Sequence, residues 1–313
     1  GVIPANLWRT IGGDTYYYQN HAMQKDTWIN DGNGWYYMDG DGFAKKGWFT
    51  ESGKRYYLDD GTGKMQYGWK DQDGKWYYLG SSGAASTGWV NDNGAWYFMD
   101  HDTAVMRTGW LDEGGKRFFL EDSGRMATGW TNQDNKWYYL DGSGALAKGW
   151  IDADGSRYYS NSDGVMHTGW LQDGGHWYFM RGNGAMATGW RDMDGSWYFF
   201  NQDGQMVTGW QSIDGIWYYF DGNGHMATGI TDVGGVKYYL DDQGRMAANT
   251  EVTVDGVNYT ADGSGALSLV EQPPAEGGEA SNESPDSQSS PDAGQSGTND
   301  APVITGVSGG PGV

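Results

Sequence analysis

Aromatic and polar positions alternate along this chain in a pattern that repeats about every twenty residues. The stretch Thr188-Gly-Trp190-Arg-Asp-Met-Asp-Gly-Ser-Trp197-Tyr-Phe-Phe200-Asn-Gln-Asp-Gly-Gln-Met206 is one unit. Two short aromatic-rich runs flank Asp194-Gly195, a strong short-range signal for a β-hairpin. The same turn recurs at Asp73-Gly74, Asn93-Gly94, Asp154-Gly155 and Asp214-Gly215. A second glycine turn, such as Ser143-Gly144, Asp203-Gly204 or Asn223-Gly224, follows the second run and leads to the next Gly-Trp. Each unit therefore predicts one hairpin and a connecting loop. No window sustains a 3.6-residue period, so helix should be nearly absent. A lone hairpin is marginal in water, so the units must stack to bury a shared aromatic core. The prediction is an all-β solenoid of stacked β-hairpins.

The leading tryptophans are Trp48, Trp69, Trp89, Trp110, Trp130, Trp150, Trp170, Trp190 and Trp210, with Trp28 and Trp8 in register upstream. Seven residues after most of them comes an aromatic block. Within Trp197-Tyr198-Phe199-Phe200, strand alternation puts Trp197 and Phe199 on one face and Tyr198 and Phe200 on the other. The middle position of the block is always Tyr or Phe, as a core requires. The first is Trp at Trp35, Trp76, Trp96, Trp137, Trp177, Trp197 and Trp217, but Arg55, Arg117, Arg157 or Lys237 elsewhere. A buried Trp does not exchange with Arg or Lys without leaving an unpaired interior charge. The first position is therefore expected to be exposed, and so many exposed tryptophans need a reason beyond folding. One reason is merely to cover the groove between neighbouring hairpins. The other is a cage whose ring faces attract a quaternary ammonium, each contributing about 0.5–2 kcal/mol. A loop Met such as Met186, Met206 or Met226 would supply a soft floor.

Composition sharpens the boundaries. The 313 residues include 54 Gly, 18 Trp, 22 Tyr and no Cys, with a mean hydropathy of −0.72. All the Trp lie between Trp8 and Trp217, whereas six of the seven Pro lie at or beyond Pro273. Residues 1–270 are thus read as the repeat array, with degenerate capping repeats at both ends. Residues 271–313 are read as an acidic Ser/Gly/Pro-rich flexible linker. That tail holds seven acidic and no basic side chains, leaving the array 34 against 20, a net charge of −14. Such a surface disfavours nucleic acid and suits a cationic ligand. No apolar run reaches transmembrane length and no signal peptide is recognisable, in keeping with a mature form or a piece of a longer chain.

The pattern Gly-Trp, Asp-Gly turn, Trp-Tyr-Tyr, Gly-x-Met-x-Thr-Gly-Trp resembles the choline-binding, or cell-wall-binding, repeats of Gram-positive surface proteins. The likeness covers roughly residues 6–270, some twelve to thirteen units. It implies choline of teichoic acid held between consecutive hairpins by two Trp of one repeat, an aromatic of the next and a Met. It also implies a secreted protein of the cell surface and wall. Carried over, the fullest groups are Trp170, Trp177, Phe199 with Met186; Trp190, Trp197, Tyr219 with Met206; and Trp210, Trp217, Tyr239 with Met226. Trp89, Trp96 and Phe119 with Met106 also fit, despite an insertion near His101–Val105. Trp130, Trp137 and Tyr159 have Leu146, while Trp69, Trp76 and Phe98 have Ala85. Trp28, Trp35 and Tyr57 have Phe43. Units led by Trp48, Trp110 and Trp150 should not bind a cation, because Arg55, Arg117 and Arg157 should stack on their indoles instead. Similar repeats occur in glucan-binding domains of glucosyltransferases and in clostridial toxins, so a glucan is the competing ligand.

Other chemistry finds little support. Asp39-Gly-Asp41, Asp71-Gln-Asp73, Asp152-Ala-Asp154 and Asp192-Met-Asp194 resemble fragments of calcium loops but lack the distal Glu of an EF-hand. The five His are scattered without metal-ligand spacing, and no cofactor motif is present. Acidic pairs occur only at turns that recur throughout, so no singular catalytic pair stands out and a non-catalytic chain is expected.

Overall fold

The computed structural model describes residues 6–270, so the linker expected at 271–313 lies outside the described residues. Every element in that range is a strand, and each predicted unit forms an antiparallel hairpin. The Asp-Gly turns work as the sequence requires. Asp194 and Gly195 have φ of 55° and 80°, the paired left-handed conformation of a type I′ turn. The Asp192 carboxylate accepts the Gly195 N–H at 3.1 Å and fixes the bend. No helix among the described residues is long and apolar enough to cross a membrane.

The described residues divide into two compact units, with the boundary between Ala147 and Lys148. In the first, a three-stranded sheet of Asn6–Ile11, Asp14–Gln19 and Ala22–Met23 precedes six two-stranded hairpins. In the second, five hairpins lead to a three-stranded sheet of Thr250–Val254, Val257–Ala261 and Leu267–Leu269. Within each unit, neighbouring hairpins share no strand. They are joined where a connecting loop runs beside the preceding hairpin and donates one N–H to it. Examples are Met126 to the Trp96 carbonyl and Met226 to the Trp197 carbonyl.

The most deeply buried row lies two positions beyond the middle ring that the aromatic pattern singles out. Fully buried side chains form a row at the fourth position of the block: Met38, Leu58, Leu79, Met99, Leu120 and Leu140, then Ser160, Met180, Phe200, Phe220 and Leu240. The middle ring is buried at Tyr56, Tyr77, Phe118 and Tyr198 and half-buried in other hairpins. The fourth position shares its face with the middle ring and stands at the strand end nearest the connecting loop, which covers it. Met206, for example, bridges back to Phe200.

The loops add a second packing rule. Gly204 has a φ of 79°, and a Cβ there would sit 2.3 Å from the Met186 sulfur. The same closeness recurs between Gly124 and Met106, and between Gly224 and Met206. Where the earlier loop carries Ala85 in place of Met, the glycine position is taken by Ala104, with a φ of 58°. The inserted residue near His101 is absorbed there, where Asp100 accepts the Thr103 N–H and hydroxyl.

Candidate functional site

Register decides which rings can meet. Trp170 pairs with Phe179 and Gln172 with Trp177, so Trp170, Trp177 and Phe179 share one face of their hairpin. In the next hairpin, Arg191 pairs with Tyr198 and Gly189 with Phe200, which puts Tyr198 and Phe200 on one face. That face meets Trp170: its ring centroid lies 5.2 Å from Tyr198 and 5.8 Å from Phe200. Hairpins that carry both Trp thus present the two indoles forward and their middle ring backward.

The forward pair is close to perpendicular. Trp170 and Trp177 stand 6.2 Å apart at 87°, Trp190 and Trp197 6.3 Å at 78°, and Trp210 and Trp217 6.5 Å at 81°. Trp69 with Trp76 and Trp89 with Trp96 repeat the arrangement at 6.3 and 6.5 Å. Trp35, Trp76, Trp96, Trp177, Trp197 and Trp217 are between 36% and 46% exposed, whereas Trp137 is half-buried. The first position is therefore solvent-accessible rather than part of the core.

The ring of the next hairpin that packs on each leading Trp lies one residue before the aromatic expected as third wall. The ring facing each leading Trp is Tyr198, Tyr218, Tyr238, Phe118, Tyr97 or Tyr56, at 4.7–5.2 Å. It is not Phe199, Tyr219, Tyr239, Phe119, Phe98 or Tyr57. A shift of one residue turns a strand side chain to the opposite face. Phe199 accordingly packs on Trp190 of its own hairpin, Tyr219 on Trp210, Phe98 on Trp89, Phe119 on Trp110 and Tyr57 on Trp48. Tyr239 sits opposite Ile230. Trp130 and Trp137 belong to the first unit, and Tyr159 belongs to the second, where it packs on Trp150.

The loop that returns to each second Trp belongs to the following hairpin, so the Met tied to it lies one repeat beyond the Met expected there. Met206 donates its N–H to the Trp177 carbonyl at 2.7 Å and packs in the cluster of Trp170, Phe179, Tyr198 and Phe200. Met226 is tied in the same way to Trp197, Met246 to Trp217, Met126 to Trp96, Met106 to Trp76 and Met65 to Trp35. Met186 is tied to Arg157, Ala85 to Arg55 and Leu146 to Arg117. Phe43 packs on Tyr16. Trp28 meets Tyr37, Phe49 and Tyr56.

The arginine units hold their own cation. The Arg55 guanidinium carbon lies 4.3 Å from the Trp48 ring centroid and 5.3 Å from that of Tyr77. Arg117 covers Trp110 at 5.0 Å and Arg157 covers Trp150 at 4.9 Å. In the Trp48 group the guanidinium is thus held by an indole of one hairpin and the middle ring of the next.

Sequence reasoning overlooked the carboxylates that hold several indoles. Trp69 Nε1 donates to Asp92 at 3.0 Å, Trp150 Nε1 to Asp173 at 2.9 Å and Trp8 Nε1 to Asp31 at 3.1 Å. Their signal was an acidic residue recurring 23 positions after the Trp. These bonds orient the ring and place negative charge at its edge, which favours a cation nearby. Tyr198 meets His225 edge-on at 5.2 Å. Burial, with the carboxylates of Asp221 and Asp194, raises the Tyr198 hydroxyl above its ordinary pKa, so this wall stays neutral. No group of three or more His, Asp or Glu among the described residues could hold a metal. In the turns that resemble calcium-loop fragments, Asp39, Asp71 and Asp192 accept backbone N–H groups of their own turns.

A family model described as choline-binding repeat matches residues 107–148, 147–188 and 187–229. A second, described as putative cell wall binding repeat, matches residues 26–42, 46–65, 68–85, 87–102 and 230–246. Among solved structures, CbpJ from Streptococcus pneumoniae is 30% identical, with 77% of this chain and 99% of that one covered and a TM-score of 0.57. Choline binding protein F of the same species is 31% identical, covering 77% and 98%, with a TM-score of 0.53. The modular autolysin LytC of S. pneumoniae is 28% identical over 72% of this chain but only 52% of its own, with a TM-score of 0.53. Among curated proteins, none matches the chain.

Proposed function

The chain belongs to the choline-binding, or cell wall binding, repeat family, and from that premise we propose that it is a non-catalytic module anchoring a secreted Gram-positive protein to choline on teichoic acid. The ligand would enter between consecutive hairpins, against the perpendicular Trp pair and the middle ring of the following hairpin. The groups are Trp170, Trp177 and Tyr198; Trp190, Trp197 and Tyr218; Trp210, Trp217 and Tyr238; Trp69, Trp76 and Tyr97; and Trp89, Trp96 and Phe118, each with the Met tied to its second wall. The observation that carries the reading is Arg55, a cation already lodged between Trp48 and Tyr77. Where Trp replaces that Arg, the same ring faces are left open to a cation from solution.

A trimethylammonium group suits such a cage better than an ammonium, because it sheds its water cheaply and covers ring faces with methyl groups. Single cages of this kind bind weakly. Several cages engaging one polymer gain about 10²–10⁴ in avidity through effective concentration. Equilibrium dialysis against choline, with Trp emission followed in parallel, tests the reading. Saturable uptake with a spectral shift is expected. A response to dextran and none to choline would overturn it in favour of a glucan ligand.

A further inference from the structure

The second unit holds a cleft that the aromatic cages do not use. It has a volume of about 540 Å³, within the range of small-ligand sites. Asp152, Asp154 and Arg157 of the Trp150 hairpin line one side, and Arg181, Gln202 and Asp203 of the next two connecting loops line the other. Arg157 is the residue that closes the Trp150 cage, so the cleft lies beside a group that supplies its own cation.

Arg181 is the one basic residue at its loop position among the described repeats, where Gly80 and Glu121 also depart from the common Asp or Asn. It occupies the first loop position, where other repeats have Asp39, Asp141, Asn161, Asn201, Asp221, Asp241 or Asp262. In each of those loops the side-chain oxygen accepts the N–H four residues on, as Asn161 does from Val165 and Asn201 from Gln205. Arg181 cannot do so, and Asn183 accepts the Ala185 N–H instead. The Arg181 guanidinium donates to the Met186 carbonyl at 3.1 Å, and its Nε is buried with no partner. In place of a capping carboxylate or amide, this loop carries a guanidinium that lines the cleft.

We infer that this cleft binds an uncharged, hydroxyl-rich ligand, a short neutral saccharide segment. Three carboxylates and two guanidinium groups leave its charge near balance, so neither a simple cation nor a simple anion is favoured. Vicinal hydroxyls use both kinds of group at once, donating to carboxylates and accepting from guanidinium and amide N–H. The hydroxyls of Ser156 and Thr188 line the same space and extend the set. Binding here is independent of choline: the cages would hold the polymer's cationic substituent and the cleft its sugar.

The test uses the full chain, isotope-labelled, with maltotriose, isomaltotriose and chitotriose as probes, each titrated with and without saturating choline. Saturable amide shifts confined to residues 152–157, 181–188 and 202–203, unchanged by choline, are expected for at least one probe. Arg181→Asn, which restores the cap used at Asn161 and Asn201, should keep the fold and choline uptake. It should weaken the saccharide at least about tenfold, as loss of a charged donor does. Trp197→Ala should weaken choline and leave the saccharide shifts intact. The inference fails if no probe shifts these residues, if Arg181→Asn binds as well as the parent, or if inorganic phosphate or choline alone produces the same shifts. Loss of choline binding with the saccharide shifts retained would overturn the anchoring proposal and leave this one standing.

Discussion

Trp197 and Tyr198 are neighbours in sequence, yet alternation places them on opposite faces with opposite work. Trp197 is 44% exposed and Tyr198 only 9%. Trp197→Ala should therefore change stability by well under the cost of a core deletion while reducing choline uptake by one site. Tyr198→Ala removes a packed ring and should cost about 3–5 kcal/mol in urea unfolding. It should also weaken the proposed Trp170 group, on whose leading indole Tyr198 packs. Equal destabilisation by the two variants would show Trp197 to be core. The arginine groups give the converse experiment. Arg157→Trp removes the internal cation from Trp150 and supplies a second indole, so dialysis should count one more bound choline than in the parent. Trp177→Arg should remove one, since a fixed guanidinium occupies the ring and repels a second cation.

At the scale of the hairpin and its loop, stability depends on pairings between successive repeats. Gly204→Ala adds a Cβ at 2.3 Å from the Met186 sulfur and forces a left-handed residue to carry a side chain. A loss of about 1–3 kcal/mol is expected, part of it recovered when Met186→Ala is added. Ala85 and Ala104 are the matching pair already present in this chain, a small residue in the earlier loop and a Cβ at the left-handed position. Ala85→Met should accordingly destabilise the chain alone and be tolerated with Ala104→Gly, a coupling measurable by a double-mutant cycle. The loop carboxylates set the acid limit. The Thr103 N–H and hydroxyl, with Arg107, hold Asp100 down to about 2. Hydrogen bonds from Ser143, and from the Ser264 hydroxyl and N–H, likewise lower Asp141 and Asp262. A depressed carboxyl stabilises the folded loop above its unfolded value of 3.8 and loses that effect as pH falls towards 2. Amide exchange at Thr103 and Val105 should therefore show excess opening between those limits, abolished in Asp100→Asn.

For the whole molecule, a repetitive surface makes function additive. Choline bound only by the folded state should raise the melting temperature by mass action, with about 2.7 kcal/mol per site at a hundredfold excess over Kd. The shift should shrink stepwise as open groups are closed by Trp→Arg substitutions. Indifference of the melting temperature to the number of open groups would mean that choline acts elsewhere. The acidic array, at −14, adds a long-range attraction for cationic ligand that salt should weaken.

The repeat, the hairpins, their turns and the exposed first position were all legible in the sequence, because each depends on residues within about twenty positions. Asp-Gly needs two left-handed residues, and an Arg standing in for Trp excludes burial. The stacking of Arg55, Arg117 and Arg157 on their indoles followed from the same local spacing. What only the tertiary structure decided was how one hairpin meets the next. Strand alternation separated the two faces of the block, but it did not say which face turns towards the preceding repeat. That choice made Tyr198 rather than Phe199 the partner of Trp170. Likewise the loop's return path, set by one N–H to the previous hairpin, brought Met206 rather than Met186 to Trp177. The cleft around Arg181 gathers residues from three repeats, and no period within one repeat could have assembled it.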